Sequence, residues 1–363
     1  MAGTDAWLIL NAAGLSVMRQ NLLLDVFGEA ETILGCSDAQ LLAVEGITAH
    51  HLARLRNACE SFDVEAAQAA MQAAGVHLCS RGSAGYPRLL ADTDGAPPVL
   101  FVQGSLTADD AQAVAVVGTR KCTAYGRQVA RRLSSELSRR GFCIVSGLAE
   151  GIDAEAHLGA IESGGRTIAV MASGPDITFP GSHRGLREQI AGSGAVVTEY
   201  PFGSPPLRER FPERNRVISG LSLGTVVVEA PARSGALITA RLAGEQGRGV
   251  FAVPGPVDSP ASRGCHALIK DGAQLVEVAE DIVEGLGIML DAVPVRVQRD
   301  RPVAELSGEE RTIVEALSFE PKHVDAIVGA TGIALPAVNA ALMLLEMKGL
   351  VRRFPGNSYV KIS

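Results

Sequence analysis

The sequence predicts an α/β protein with a parallel β-sheet at its centre, a helical module before it and a winged helix after it. Three observations carry this expectation. From Ala113 onward, short β-branched runs alternate with helical stretches, the pattern of strands covered by helices on both faces. Residues 5 to about 75 are rich in Ala and Leu and read as helical throughout. Beyond a stretch bearing prolines and charges at 289–306, three helical segments precede a two-stranded hairpin.

In the helical module (1–75), Ser37 is placed to cap a helix beginning at Asp38, Gly46 breaks it, and Thr48 caps the next. The segment LLAVEGITAHHLARL (41–55) therefore reads as a helix–hairpin–helix, SAM-like pair. In DNA-binding versions the hairpin amides hold a phosphate. Here Glu45 occupies the hairpin and only Arg54 and Arg56 supply charge nearby, which favours a packing or partner-binding role.

The domain at 76–288 opens with a Gly/Pro-rich connector (76–112) carrying one short strand near Val99–Val102. Its core, 113–288, reads as strands at AVAVVG (113–118), FCIVSG (142–147), RTIAVMASG (166–174), AVVTEY (195–200), TVVVEA (225–230) and GVFAVPG (249–255), with QLVEV (274–278) as a further candidate. Val129, Leu133 and Leu137 recur every four residues on one helix face, and Gly141 can end that helix. Residues 289–306 form a linker. The tail, 307–363, reads as helices at 309–317, 322–328 and 335–347 and a hairpin of 350–354 and 358–362 about a PGN turn: a winged-helix arrangement.

Bulk properties narrow the function. With 47% hydrophobic and 20% charged residues over 363 positions, a real core is available and global disorder is excluded. The net charge of −7 opposes nucleic acid globally, so any such binding requires a local basic pocket. The six cysteines contain no C-x-x-C pair and read as reduced thiols; the seven histidines show no metal-ligand spacing. No basic leader precedes an apolar stretch and no apolar run approaches ~20 residues, so the expectation is a soluble, cytoplasmic protein without a membrane partner.

Ligands of open parallel sheets bind at the carboxyl ends of the strands. Those ends carry Gly118-Thr119-Arg120, Ser146-Gly147, Ser173-Gly174, Glu199-Tyr200, Glu229 and Pro254-Gly255. Small residues let an anion approach the backbone, and Arg120 offers a bidentate phosphate donor; the alternative is that the glycines only make tight turns. The first turn, GTRKCTAYG, is not G-x-G-x-x-G, SGLAEGID lacks the GK[ST] of a phosphate-binding loop, and no G-x-S-x-G elbow occurs.

The densest positive charge is LRERFPERNR (207–216), where Arg208, Arg210, Arg214 and Arg216 surround Phe211. Guanidinium groups on phosphates beside an aromatic face on bases suit a single strand; a solvated helix face is the other reading. Asp153, Glu155, Glu199 and Glu229 stand near strand ends, where a pair would do acid/base work or, alternatively, cap helices and close the sheet ends. In the tail, six basic residues are matched by six acidic ones, and the third helix offers only Asn339 early and Lys348 at its end. That leaves little counterion release to drive duplex binding.

Six blocks carry a family resemblance: VAVVGTRKCTAYG (114–126), IVSGLAEGIDAEAH (144–157), RTIAVMASGPDITFPGSHRGL (166–186), FPERNRVISGLS (211–222), VVVEAPARSGALITARLAGEQGRGVFAVPG (226–255) and SRGCHALIKDGAQLV (262–276). In this order they resemble the signature of the DNA-processing protein A (DprA/Smf) family over at least 80–285. The resemblance implies a Rossmann-like, homodimerising core. It also implies a mediator without chemistry or cofactor that binds single-stranded DNA, protects incoming strands and loads the RecA recombinase on them during natural transformation and homologous recombination. The family's Gly-[Ser/Thr]-Arg motif falls on Gly118, Thr119 and Arg120, its basic-aromatic segment on Arg208, Phe211, Arg214 and Asn215, and its SGA block on Ser234 and Gly235. Ser146, Gly147 and Arg216 complete the candidate site. Glu150 stands where many members are basic, and His266 where Asn is frequent. The rival reading is a hydrolase of the lysine-decarboxylase-like group cleaving the N-glycosidic bond of nucleoside monophosphates. SLGTVVVE (222–229) resembles the tail of its P-G-G-x-G-T-x-x-E motif, with Leu221-Ser222 in place of the leading glycines.

Overall fold

The computed structural model describes residues 3–287, 307–318, 321–348, 350–354 and 356–361; the linker expected at 289–306 lies outside them. The chain divides into two compact units, 1–298 and 299–363.

The first unit is built on nine strands: β1 (Val76–Ser80), β2 (Val99–Gly104), β3 (Ala113–Val117), β4 (Cys143–Ser146), β5 (Thr167–Val170), β6 (Ala195–Thr198), β7 (Gly224–Val227), β8 (Gly249–Ala252) and β9 (Gln274–Leu275). Their spatial order is β1-β2-β6-β5-β4-β3-β7-β8-β9. From β6 to β9 every pairing is parallel, as the alternating pattern predicts. Each of the six core runs is trimmed: its last one to four residues leave the ladder and become the loops at the strand ends.

The connector departs from expectation. It holds two strands, a short helix, Arg88–Ala91, and a 3-10 turn, Ala108–Ala111, rather than one strand. β1 pairs antiparallel with β2, Val76 opposite Gln103 and Ser80 opposite Val99, and β2 pairs antiparallel with β6. β1 is an edge strand and escapes a reading based on continuous apolar runs, because only Val76 and Cys79 of it are buried.

Residues of one strand serve two cores. Ala113, Ala115 and Val117 join the cluster with Val217, Ile218, Ala236, Ala240 and Cys265, while Val114 and Val116 join that with Leu133, Leu137, Ile152 and Ile282. This period-2 division explains why β3 is apolar at every position: both faces are covered by helices. Val129, Leu133 and Leu137 are buried along the helix Ala124–Arg139, and Gly141 follows with a φ of +88°.

Six helices precede the sheet: Gly3–Ala12, Val17–Phe27, Ala30–Gly35, Asp38–Leu42, Ala49–Ser61 and Val64–Ala73. Ser37 caps Asp38–Leu42 through the Gln40 amide, Gly46 turns with a φ of +92°, and Thr48 opens the next helix against His51. Their core includes Val76, Val99 and Phe101, so the helical segment packs on the outer strands of the sheet. Arg56 is engaged by Asp38 at 3.0 Å and by the Leu34 carbonyl, so it serves the packing of these helices.

The second unit has helices Gly308–Ala316, Val324–Thr331 and Leu335–Met347 and strands β10 (Lys322–His323), β11 (Val351–Phe354) and β12 (Ser358–Lys361) in the order β10-β12-β11. The middle helix starts two residues later than predicted, because Lys322 and His323 pair with β12 instead, and Gly332 ends it in the left-handed region. Ile313, Ile327, Leu342, Leu345 and Val351 form its own core. Among the described residues no single helix is long and apolar enough to cross a membrane.

Candidate nucleic-acid interface

The strand order reverses at β3: the chain runs outward through β4, β5 and β6, then returns to place β7 on the other side of β3. At such a switch the loops following two adjacent strands diverge and leave a crevice. A broad cleft lies there, lined by Gly118–Lys121 after β3, Asp153 after β4, Ser234 and Gly235 after β7, and Arg208, Phe211, Arg214 and Asn215. A second, smaller cleft adjoins it beyond β4 and β5, lined by Gly147, Glu150, Met171, Ser173, Phe179 and Pro180. Arg120, Ala149 and Phe211 line both and form their common wall.

The rim of this wall is exposed and chemically open. The Arg120 guanidinium lies 4.8 Å from the centroid of the Phe211 ring. Phe179 meets Phe211 edge-on with centroids 5.8 Å apart, and Phe179 is itself 45% exposed. Among the described residues the Arg120 side chain makes no hydrogen bond or ion pair, so its donors remain available while the ring orients it. Lys121, Arg208 and Arg233 are exposed around the larger cleft. The rim thus combines fixed positive charge with aromatic surface.

The floor is different. Arg214 is 4% exposed, and its Nη1 donates to the carbonyls of Gly147 and Val170. Burial pulls its pKa down to about 10, with Asp153 opposing that shift. Burial likewise raises Asp153, partly offset by Arg214. Ser146 is fully buried and donates to the Val116 carbonyl at 2.6 Å. Asn215 donates to the Gly235 carbonyl at 3.3 Å, and the Ser234 hydroxyl accepts from Ala236 as the cap of the helix Gly235–Glu245. Arg216 projects elsewhere: it pairs with Glu199 and the Gly95 carbonyl and lines neither cleft.

The structure therefore gathers Gly118, Thr119, Arg120, Gly147, Arg208, Phe211, Arg214, Asn215, Ser234 and Gly235 around the clefts, but in two layers. Ser146 lies behind the wall and Arg216 on the far side of its helix. Two of the glycines are required by close packing: a Cβ on Gly118 would sit 2.5 Å from Ile152 and 2.8 Å from the Glu229 carbonyl, and one on Gly147 would meet Arg214 and Asp153, whereas Gly235 has open space there. The Thr119 amide does not face solvent either, since it donates to the Glu229 carbonyl at 2.7 Å.

The four carboxylates are each engaged separately. Glu229 accepts from the Thr123 amide and hydroxyl at 2.9 and 2.6 Å, holding the start of the helix Ala124–Arg139. Glu155 pairs with Arg131 at 2.9 Å, Glu199 with Arg216, and Asp153 accepts from the Ala149 amide at 3.4 Å. Sequence reasoning missed Phe179, Lys121 and Arg233 as rim residues. Phe179 is one of ten phenylalanines and follows the β5 end among small residues, which was the available signal. In the second unit Lys348 pairs with Glu310 at 2.7 Å, and Arg353 donates to Asn357.

The family model described as DNA recombination-mediator protein A matches residues 77–287, and the one described as DprA winged helix domain matches 297–357. Protein Smf of Escherichia coli is 39% identical over 336 residues, covering 90% of this chain and 87% of that relative. The putative DNA processing protein DprA of Mycobacterium tuberculosis is 44% identical over 257 residues, 70% of this chain and 66% of its own length. Among solved structures, DprA of Streptococcus pneumoniae superposes with a TM-score of 0.67 at 33% identity, over 77% of this chain and 97% of that one. DNA processing protein A of Helicobacter pylori, studied for its single-stranded-DNA binding mode, gives 0.53 at 27% identity over 60% and 97%.

Proposed function

This chain belongs to the DNA recombination-mediator protein A (DprA/Smf) family, and from that premise we propose that it binds single-stranded DNA at the rim of the switch-point cleft. The observation that carries the proposal is Arg120 held over the face of Phe211 with no hydrogen-bond partner of its own. A nucleotide arriving there meets a guanidinium for its phosphate and ring surface, from Phe211 and Phe179, for its base. Lys121, Arg208 and Arg233 extend the positive charge along the larger cleft. Positive charge along a groove with aromatic faces for the bases is the arrangement that suits a flexible single strand.

In this reading the protein acts in the cytoplasm as a mediator rather than an enzyme. It shields incoming single strands and loads a RecA-type recombinase on them during transformation and homologous recombination. A homodimer through the α/β unit joins two weak sites on one strand and raises their effective concentration. The second unit serves protein contact or regulation: its third helix exposes Met343 and Leu344 where a groove reader presents cations. The rival reading, glycosidic-bond hydrolysis, is disfavoured by Leu221-Ser222 standing where its phosphate-holding loop carries glycines.

The test is a gel-shift titration with matched single- and double-stranded oligonucleotides, run beside an assay of base release from nucleoside monophosphates. Preference for the single strand without base release is expected. Duplex preference, or measurable base release, would overturn the reading.

A further inference from the structure

The smaller cleft contains a charge that a phosphate-binding surface does not call for. Glu150 lines it together with Arg120, Met171, Phe179 and Phe211. It is exposed, and among the described residues it has neither a hydrogen bond nor an ion pair. The neighbouring carboxylates at the strand ends are all engaged, whereas this one faces the open cleft beside the two phenylalanines.

A carboxylate beside a DNA backbone is repulsive, because it offers only acceptors to a polymer whose phosphates are also acceptors. The donors on DNA are on base edges, and a base seated against Phe211 and Phe179 would present its edge within this cleft. The four bases differ in what they show on the Watson–Crick edge. Guanine presents N1–H and N2–H side by side, two parallel donors that match two carboxylate oxygens. Adenine and cytosine set a donor beside an acceptor, and thymine sets one N–H between two carbonyls. A bidentate, charge-assisted contact is thus available to guanine alone.

We propose that Glu150 makes the smaller cleft a guanine-reading subsite, with the aromatic pair supporting the base and Arg120 holding the adjoining phosphate. This deepens the single-strand reading of the same site and rests on it. It gives the protein a base preference on an otherwise sequence-tolerant surface.

The experiment is a fluorescence-anisotropy titration of the full chain with thymidine decamers carrying one central substitution: none, dG, dA, dC or deoxyinosine. Inosine keeps N1–H and lacks the N2 amine. The dG decamer is expected to bind about tenfold tighter than the all-dT strand, within the range a bidentate base contact discriminates, with inosine between them. Glu150→Gln should bring the dG-to-dT ratio to within about twofold, since an amide replaces one acceptor by a donor. Equal affinity for all five decamers overturns the guanine subsite and leaves single-strand binding standing. A dG preference that survives Glu150→Gln assigns the selectivity elsewhere and also overturns it. Failure to bind any decamer overturns the single-strand reading and this inference together.

Discussion

Arg120 lies exposed over the face of Phe211, its guanidinium without a hydrogen bond among the described residues, whereas Arg214 is buried three residues beyond that phenylalanine and donates to the Gly147 and Val170 carbonyls. Both line the same cleft. A guanidinium already joined to buried carbonyls cannot be redirected to a phosphate without leaving those carbonyls unpaired, which is costly in a low-dielectric interior. One whose donors are free has no such penalty. Two arginines of one cleft are therefore not equivalent candidates for a phosphate: Arg214 holds the loops in place, and Arg120 keeps its donors open.

The largest expected effect breaks the floor. Arg214→Met leaves two carbonyls without donors and Asp153 without its cation. Unfolding in urea should show a loss of about 3–5 kcal/mol, as for removing one partner of a buried charge network. If that variant keeps wild-type stability and loses only DNA affinity, the division into layers is wrong.

Next in size is a pH effect from another fully buried group, away from the cleft lining. His157 is fully buried, with Nδ1 against the Thr167 hydroxyl at 2.7 Å, and burial pulls its pKa down to about 3. Between that value and the ordinary histidine value near 6.5, the unfolded chain binds a proton that the folded chain does not. Stability is therefore complete above about pH 6.5 and falls as pH drops, by about 1.4 kcal/mol per unit. Between pH 6.5 and 5 this group alone contributes about 2 kcal/mol of loss. Comparing urea midpoints of wild type and His157→Gln across that range checks it, and an unchanged slope would refute it.

At the rim, Phe211→Leu keeps apolar bulk and removes the ring face. Single-strand affinity should fall by about 1–3 kcal/mol, the usual worth of one stacked base, with little change in the urea midpoint. A variant that loses stability instead would move Phe211 into the floor layer.

Smaller still, Arg120→Ala should flatten the dependence of log K on log salt by about 0.7, the signature of one lost phosphate contact on a single strand. An identical slope would remove Arg120 from the interface. The smallest effect is expected from deleting 301–363, which removes the second unit and leaves the rim intact: affinity should stay within a few fold. A hundredfold loss in a folded remainder would transfer the principal site to the winged helix.

Much of this organisation was legible in the sequence. The period-2 burial of β3, the four-residue spacing of Val129, Leu133 and Leu137, the Ser37 cap and the helix start at Thr48 all follow from local chemistry. β1 was not, because an edge strand with two buried residues looks like connector. Lys121 and Arg233 were passed over because they lie outside the ten-residue cluster of arginines, and they reach the cleft only where the loops after β3 and β7 converge.

Residue types and their order determined that this chain forms a parallel sheet covered on both faces, with small and cationic residues where strands end. They also determined the family signature. Which cation is available to a ligand was decided by tertiary structure alone. Along 207–216 the four arginines read as equals, yet Arg208 is exposed, Arg210 stacks on Tyr200, Arg214 is buried under Gly147 and Arg216 pairs with Glu199. The reason is physical. A helix turns each successive side chain by about 100°, so neighbours in sequence face different surroundings. Hydrogen-bond partners such as Gly147, Val170 and Glu199 lie 17 to 67 residues away and are brought close only when the sheet assembles.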